Sequence, residues 1–322
     1  MQLTTRNHYN PCFWTANWNP EYFKLALKSK KNEGKARNQR VFALNIKSNK
    51  VYQVAVENLH YDKNLGIAEI TPDAALGFCK WHFPNEYEQF REEMKDHPET
   101  LVLDFENVLT CLEESLAYKT LLKVITRPGL RSGPEKGALA AFLAVHHLRS
   151  HAIMNSMIEF GEQTETPKFE YFWMLKRWLG NVNVLFPWVM TLTAGRWVFY
   201  RMDKDTFPLN DSPILIRPDS VMVALSPRLL LEIERNDHSL ENGWRDSNSI
   251  TNDKLAEFRR RTIGNTFREI IFGDAALLEV WRTAPEFSER HQLMANTNSY
   301  NAVVAKHLDG ELWKINAHGN MS

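Results

Sequence analysis

The sequence has little of what marks a secreted, membrane or cysteine-ligated metal protein. Its three cysteines, Cys12, Cys79 and Cys111, are spread over 322 residues and form no Cys-x-x-Cys pair. This spacing argues against a disulfide framework and a cysteine zinc site, and it suits a reducing cytoplasm. The first residues lack a signal-peptide pattern, and the longest apolar stretch, 182–194, is too short and too polar to span a bilayer. We therefore expect a cytoplasmic protein with no membrane partner.

The chain also has a net charge of zero, because 39 Lys and Arg balance 39 Asp and Glu. A neutral chain has no global field that attracts nucleic acid, although basic runs at 28–40 and 259–261 leave a local basic face open. The sequence contains neither a dinucleotide-binding glycine pattern nor a phosphate-binding loop, since the glycines of 129–137 are not followed by Lys and then Ser or Thr. It therefore assigns no cofactor.

An apolar segment, 137–160, predicts a largely buried helix with His147, Arg149 and His151 in its middle. His147 and His151 are four positions apart and would share a helix face, a spacing that can hold a metal. No Glu lies between them as zinc proteases require, and two ligands do not make a site, so none is assigned. Arg149 is more informative, because a buried guanidinium must face a carboxylate, a carbonyl cage or an anion.

The strands are predicted at both ends of the chain. Apolar, β-branched runs at 41–46 and 51–56 predict a hairpin, and 67–71 adds a short strand. Runs at 181–193 and 196–201 predict a second hairpin that turns at an Ala-Gly pair. Because the composition is 43% hydrophobic and 24% charged, a folded protein with a sizeable core is expected.

Between these strands the hydrophobic period becomes helical. Residues 84–97 read as an exposed helix, and 101–126 read as a long amphipathic one. The pattern predicts an α+β fold in which a mainly antiparallel sheet, built from N-terminal and post-180 strands, packs beside a helical bundle of residues 84–179. We expect one domain over 1–322, with a mobile, turn-rich loop at 236–251.

The stretch Trp197–Glu234 alternates apolar runs with turn-forming residues and is typical of short strands in a sheet. At its centre, Phe207–Pro213 forms a polar corner. Asp211 lies there between two prolines that restrict the backbone, so its carboxylate should point in one definite direction. Such a carboxylate can serve catalysis, or it can satisfy backbone N–H groups in an Asx-turn.

Five pieces, in this order, resemble a bacterial family known as domain of unknown function 4238. They are His8-Tyr9-Asn10-Pro11, His146-His147-Leu148-Arg149, Phe207–Pro213, Leu225-Ser226-Pro227 and Asn265. Together they span most of the chain. The family name implies no established activity, so the resemblance contributes positions and not a mechanism.

If these polar residues converge, they form a candidate catalytic set. His8 would act as general base or acid, Arg149 as an anion clamp, Asp211 as an orienting carboxylate and Asn265 as a hydrogen-bond donor. That set suits hydrolysis or transfer at a phosphorus or acyl centre. The leading hypothesis is a hydrolase acting on a phosphodiester, nucleic acid or nucleotide, such as a nuclease-like toxin or defence effector.

Two alternatives do not need catalysis. In a non-catalytic binding or interaction module, His8 and Asp211 would pin the N-terminal arm to the sheet, and Arg149 would pair with a buried carboxylate. In a nucleic-acid binder, the basic runs 28–40 and Arg259–Arg261 would contact the phosphate backbone. The sequence leaves all three readings open and names no protein partner.

Overall fold

The chain folds into an α+β structure in which helices pack beside two mainly antiparallel sheets. The residues that the computed structural model describes are 6–26, 33–63, 67–82, 84–96, 99–104, 117–127, 133–148, 150–163, 182–217, 219–234, 245–247 and 250–296. The fold class predicted from the sequence is thereby confirmed.

Strands and helices are interspersed along the chain. The strands are β1 (Arg6–His8), β2 (Arg40–Asn45), β3 (Val51–Ala55), β4 (Tyr61–Lys63), β5 (Ile67–Ile70), β6 (Leu101–Asp104), β7 (Arg196–Arg201), β8 (Leu209–Asn210), β9 (Leu215–Ile216), β10 (Ser220–Ser226), β11 (Leu229–Glu234), β12 (Arg245–Ser247) and β13 (Glu269–Phe272). The helices are α1 (Cys12–Thr15), α2 (Pro20–Ala26), α3 (Glu33–Ala36), α4 (Pro72–His82), α5 (Tyr87–Lys95), α6 (Tyr118–Thr126), α7 (Gly133–Leu148), α8 (His151–Gln163), α9 (Val182–Ala194), α10 (Asn252–Gly264), α11 (Ala275–Arg282) and α12 (Pro285–Asn296). None of these helices is long and apolar enough to cross a membrane.

A four-stranded antiparallel sheet combines the two ends of the chain in the order β3-β2-β13-β8. The N-terminal hairpin β2–β3 is confirmed, and it joins two strands from beyond residue 180. A second, five-stranded sheet has the order β12-β7-β11-β10-β9 and is antiparallel except where β12 runs parallel to β7. The pairs β1–β4 and β5–β6 lie outside these two sheets.

The central strands β10 and β11 are buried on both faces, which explains why their sequences are apolar runs without strict alternation. Glu232 in β11 is an exception, with 1% of its surface exposed. Its carboxylate accepts a hydrogen bond from the Tyr200 hydroxyl at 2.8 Å and one from the Lys254 ammonium group at 2.8 Å. The buried charge is therefore compensated by a cation and a hydroxyl.

The predicted hairpin over 181–193 and 196–201 is wrong, because Val182–Ala194 forms the helix α9. Its Val, Leu, Phe and Trp residues favour a strand by propensity, but α9 packs along α7, and this tertiary contact decides the outcome. Gly195 closes the helix by donating its N–H to the Thr191 carbonyl at 3.1 Å. The chain then enters β7 directly.

The expected helix over 101–126 is also shorter than predicted. Leu101–Asp104 forms the strand β6, which pairs with β5, and the helix α6 begins at Tyr118. Residues 105–116 lie outside the described residues, as does most of the expected mobile loop 236–251. Within that loop, Arg245–Ser247 forms the edge strand β12. Short edge pairings of this kind depend on a distant partner strand, so the local pattern does not reveal them.

Candidate functional site

At the corner between β8 and β9 the chain passes from the four-stranded sheet to the five-stranded sheet. Asp211 lies in this corner between Pro208 and Pro213 and is completely enclosed, with 0% of its surface exposed. Its carboxylate accepts hydrogen bonds from two successive backbone N–H groups, that of Phe267 at 3.1 Å and that of Arg268. Burial raises the pKa of the Asp211 carboxyl to about 7, and the Phe267 N–H opposes that shift. Asp211 thus joins the corner to the segment that enters β13.

The neighbours of Asp211 tie the same corner to α10. The side-chain amide of Asn210 donates to the Thr262 carbonyl at 3.0 Å, and that of Asn265 donates to the Ser212 carbonyl at 2.6 Å. Asp211 and Asn265, two of the predicted catalytic residues, therefore meet at one corner. The side chain of each residue forms its hydrogen bonds with backbone groups.

The N-terminal arm reaches this corner through Tyr9 and Asn10. The Tyr9 N–H donates to the His60 carbonyl at 2.6 Å, and the Asn10 amide donates to the Asn210 carbonyl at 2.8 Å. His60 has a left-handed backbone with a φ of 49°, which is uncommon outside glycine. That conformation turns the carbonyl and the ring of His60 towards the arm.

His8 lies one residue away from this contact and has a different partner. Its Nε2 is 3.1 Å from the backbone carbonyl of Glu57, and its ring lies 5.8 Å from the ring of Tyr61. Because a carbonyl only accepts, this ring nitrogen must carry a proton and donate. His8 is therefore tied to the turn before β4, and it makes no hydrogen bond to Asp211 among the described contacts.

The hydrogen bonds of Asn10 determine the tautomer of His60. The Asn10 amide nitrogen must face the Asn210 carbonyl, and the same nitrogen lies 2.9 Å from His60 Nδ1. His60 Nδ1 is therefore an acceptor, and a neutral ring carries its proton on Nε2, which faces Glu269 Oε2 at 3.9 Å. Burial lowers the pKa of His60 to about 3, and the charge of Arg268 adds to this effect, so the ring is neutral near pH 7.

Arg268 is the partly exposed cation beside the buried cluster, with 34% of its side chain accessible. Its guanidinium donates to the Tyr61 carbonyl at 3.2 Å and lies 4.0 Å from Glu269 Oε2. The other carboxylate oxygen of Glu269 accepts a hydrogen bond from the Tyr52 hydroxyl at 3.0 Å. Together with its backbone bond to Asp211, Arg268 links the surface to the buried carboxyl groups.

The two histidines predicted to share a helix face belong to different helices, because α7 ends at Leu148 and α8 begins at His151. The His147 ring packs 5.1 Å from Trp188, and burial lowers its pKa to about 4. Arg149, the predicted anion clamp, lies outside the described residues. No group of three metal-ligating side chains occurs in the part of the chain that is described.

The ends of α7 and α8 contact the arm through Tyr9. His146 Nδ1 lies 3.1 Å from the Tyr9 carbonyl, and the Tyr9 hydroxyl accepts a hydrogen bond from the Asn155 amide at 3.2 Å. The His151 ring meets the Tyr9 ring edge-on at 4.8 Å. The arm is therefore held between the helices and the corner. Within the His-Tyr-x-Pro segment, Tyr9 contacts the helices and Asn10 contacts the corner.

The predicted basic patch Arg259–Arg261 is largely engaged within the protein. Arg259 pairs with Glu286 at 3.1 Å. Arg261 is buried and pairs with Glu257. Arg260 alone of the three is exposed. Two of these cations are already neutralised by carboxylates, which weakens their attraction for phosphate.

A small, mainly apolar hollow lies away from the corner, between the N-terminal helices and α6. It is lined by Phe13, Asn17, Tyr22, Tyr118, Leu121, Leu122 and Ile125. None of the predicted catalytic residues lines it. The hollow therefore brings no solvent to Asp211.

Among the described residues, Asp211 and its neighbours form a buried network of hydrogen bonds to backbone groups. The sequence indicated the corner, the Asn265 segment and, as part of the His-Tyr-x-Pro piece, Asn10. It gave no sign of His60 or Arg268, which complete the connection. His60 and Arg268 stand in no motif, and their roles arise from the fold.

Comparison with protein-family models, with curated proteins and with solved structures finds no match to this chain. The resemblance to domain of unknown function 4238 therefore stays a prediction.

Proposed function

We propose that this chain is a non-catalytic interaction module, a scaffold that works by binding another macromolecule. The observation that carries the proposal is the environment of Asp211. Its carboxylate is fully enclosed and accepts hydrogen bonds from the N–H groups of Phe267 and Arg268. A general base or nucleophile must come within hydrogen-bonding distance of its substrate, and an enclosed group of this kind pins the backbone instead.

The other predicted catalytic residues among those described support the same proposal. His8 donates to the Glu57 carbonyl, and Asn265 donates to the Ser212 carbonyl. Each polar group thereby satisfies a backbone acceptor, as buried polar groups in a scaffold do. The cytoplasmic location expected from the sequence belongs to this proposal.

The net charge and the engaged arginines of 259–261 favour a protein partner over nucleic acid, while residues 28–32 of the basic run 28–40 lie outside the described residues. The net charge is zero, and Arg259 and Arg261 are neutralised by Glu286 and Glu257. Binding to a nucleic-acid backbone needs several free cations, and its affinity falls steeply with salt. We therefore place nucleic acid or nucleotide second among the proposed partners.

One observation favours a second candidate, a phosphodiester hydrolase of the toxin or defence-effector kind. Arg268 is partly exposed and adjoins Glu269 and Asp211, so a phosphate at the surface could meet a cation backed by two carboxyl groups. Titratable groups with displaced pKa values also cluster at functional sites, and the pKa of Asp211 is raised to about 7.

An activity screen separates the two candidates. The chain is incubated with single-stranded and double-stranded nucleic acids and with cyclic and linear nucleotides, with and without Mg²⁺ or Mn²⁺. Arg268→Gln is the test variant, and Arg217→Gln, at an exposed position, is the matched control. We expect no turnover by any of the proteins. The hydrolase would become the better proposal if Arg268→Gln abolished turnover and Arg217→Gln kept it. Both variants would have to melt at the temperature of the unchanged chain.

A further inference from the structure

The strand β3 is the outer strand of the four-stranded sheet, and the hydrogen bonds at its two ends determine which residues face outward. Asn45 donates its N–H to the Lys50 carbonyl at 2.9 Å, and Val56 donates to the Gln39 carbonyl at 2.8 Å. Antiparallel pairs alternate between bonded and non-bonded positions, so Val51, Gln53 and Ala55 of β3 direct their N–H and C=O groups away from β2. No described strand pairs with this outer edge.

The strand itself contains none of the residues with which proteins usually protect an exposed edge. Its sequence, VYQVA, contains neither a charged residue nor a proline, and its register with β2 runs without a bulge. Val51 is 39% exposed and Gln53 is exposed as well. An edge of this kind is a template for another strand.

We propose that the β3 edge pairs with the β3 edge of a second copy of this chain, antiparallel about a two-fold axis at Gln53. The sequence of the strand complements itself in that register. Tyr52 meets the partner's Val54, an aromatic and β-branched pair of the kind that stabilises sheets, and Val51 meets the partner's Ala55. Gln53 meets the partner's Gln53, where the two side-chain amides can bond each other.

Arg40 controls access to this edge. Its guanidinium donates to the Gln53 carbonyl at 3.1 Å, which is the acceptor that the two-fold pairing needs at its centre. The outward carbonyl lies on the line between the strands, so the Arg40 guanidinium competes with the partner strand for the space beside it. Arg40 thus keeps self-association weak, in the way that edge charges protect other sheets.

Sedimentation equilibrium of the full chain, from micromolar to submillimolar concentration, tests the proposal. Arg40→Ala is expected to lower the dimer dissociation constant at least about tenfold relative to the unchanged chain, while Arg37→Ala, which removes the same charge nearby, leaves it unchanged. Adding Val51→Lys to Arg40→Ala is expected to reverse the gain in dimer affinity. An Arg40→Ala protein that stays monomeric, or one that dimerises equally well with Val51→Lys, overturns the proposal.

Cysteine cross-linking tests the register of the proposed β3–β3 pairing directly. In the proposed pairing the Cα atoms of the two Gln53 residues are about 5.5 Å apart, within the range of a disulfide. In the Arg40→Ala background, Gln53→Cys should form a disulfide-linked dimer on mild oxidation, and Ser48→Cys, in the β2–β3 turn, should not. Equal cross-linking of both variants contradicts the register. Neither result bears on Asp211, so this test and that of the proposed function fail independently.

Discussion

The side-chain amide of Asn10 donates a hydrogen bond of 2.8 Å to the backbone carbonyl of Asn210, 200 positions further along the chain. The same amide nitrogen lies 2.9 Å from His60 Nδ1. One donor group therefore joins the N-terminal arm to the corner between the sheets and orients a buried imidazole. This bond explains how the segment around Asn10 comes to be part of the core.

Removing this amide should destabilise the fold. Asn10→Ala leaves the Asn210 carbonyl and His60 Nδ1 buried without a donor, at a cost of about 2 kcal/mol in the free energy of unfolding. Asn10→Asp should cost more, because a carboxylate oxygen would face the carbonyl oxygen. Urea denaturation at neutral pH checks both values. An Asp variant as stable as the Ala variant would show that the amide is not the donor.

The sequence predicted the elements whose signals are local. The hairpin β2–β3 and the strands β7 and β10 follow from apolar runs bounded by turn residues, and the structure confirms them. The helix α9 was mistaken for a strand, since Val, Leu and Phe occur in both kinds of buried element. Packing against α7 decides its conformation, and no residue within α9 reveals that contact.

His147 should make a contribution to stability that is lost as the pH falls below about 6.5. Burial lowers the pKa of His147 to about 4, so the native ring stays neutral while the unfolded ring takes up a proton below its ordinary value. His147→Leu removes this difference. The loss in unfolding free energy between about pH 8 and pH 5 should shrink by ~2 kcal/mol relative to the unchanged chain. An equal loss in both proteins would mean that His147 is protonated in the native state.

Two glycine-to-alanine substitutions test how closely the end of α9 approaches the sheet, because Gly195 lies at that contact and Gly77 lies in open space. A Cβ at Gly195 would lie 2.5 Å from Ile233 Cγ2 and 3.0 Å from the Glu234 carbonyl oxygen, whereas a Cβ at Gly77 would meet nothing within 4 Å. Gly195→Ala should lower the melting temperature by several degrees, because the branched Ile233 side chain must shift in a packed core. Gly77→Ala lies within α4 and should raise stability by up to about 1 kcal/mol. Calorimetry of the two variants compares them, and equal shifts would contradict the close approach at Gly195.

Asp211 should act on stability in the opposite pH direction from His147. Burial raises its pKa from an ordinary value of 3.8 to about 7, so the native carboxyl keeps its proton while the unfolded one ionises. The unchanged chain should therefore lose stability relative to Asp211→Asn as the pH rises from about 4 to about 7, by roughly 1.4 kcal/mol per pH unit, and level off above. Chemical denaturation at several pH values measures the difference, and a flat difference would mean an ordinary pKa.

From the sequence, a part of the site could be predicted only where a local sequence feature marked it. The prolines beside Asp211 indicated that its carboxylate has a fixed direction, and the structure gives it one. Its partners are the backbone N–H groups of Phe267 and Arg268, which every residue but proline possesses, so no side-chain pattern could identify them. His60 likewise carries no local signal, because its position depends on the pairing of β1 with β4.

The role of Asp211 as a structural pin is tested most directly by urea unfolding of Asp211→Ala. Asp203, an exposed aspartate before the same corner, provides the control Asp203→Ala. Because the Asp211 variant leaves the N–H groups of Phe267 and Arg268 without their acceptor, we predict a loss of about 3 kcal/mol in the free energy of unfolding, against less than about 0.5 kcal/mol for the control. Equal stability of the two variants would contradict this role.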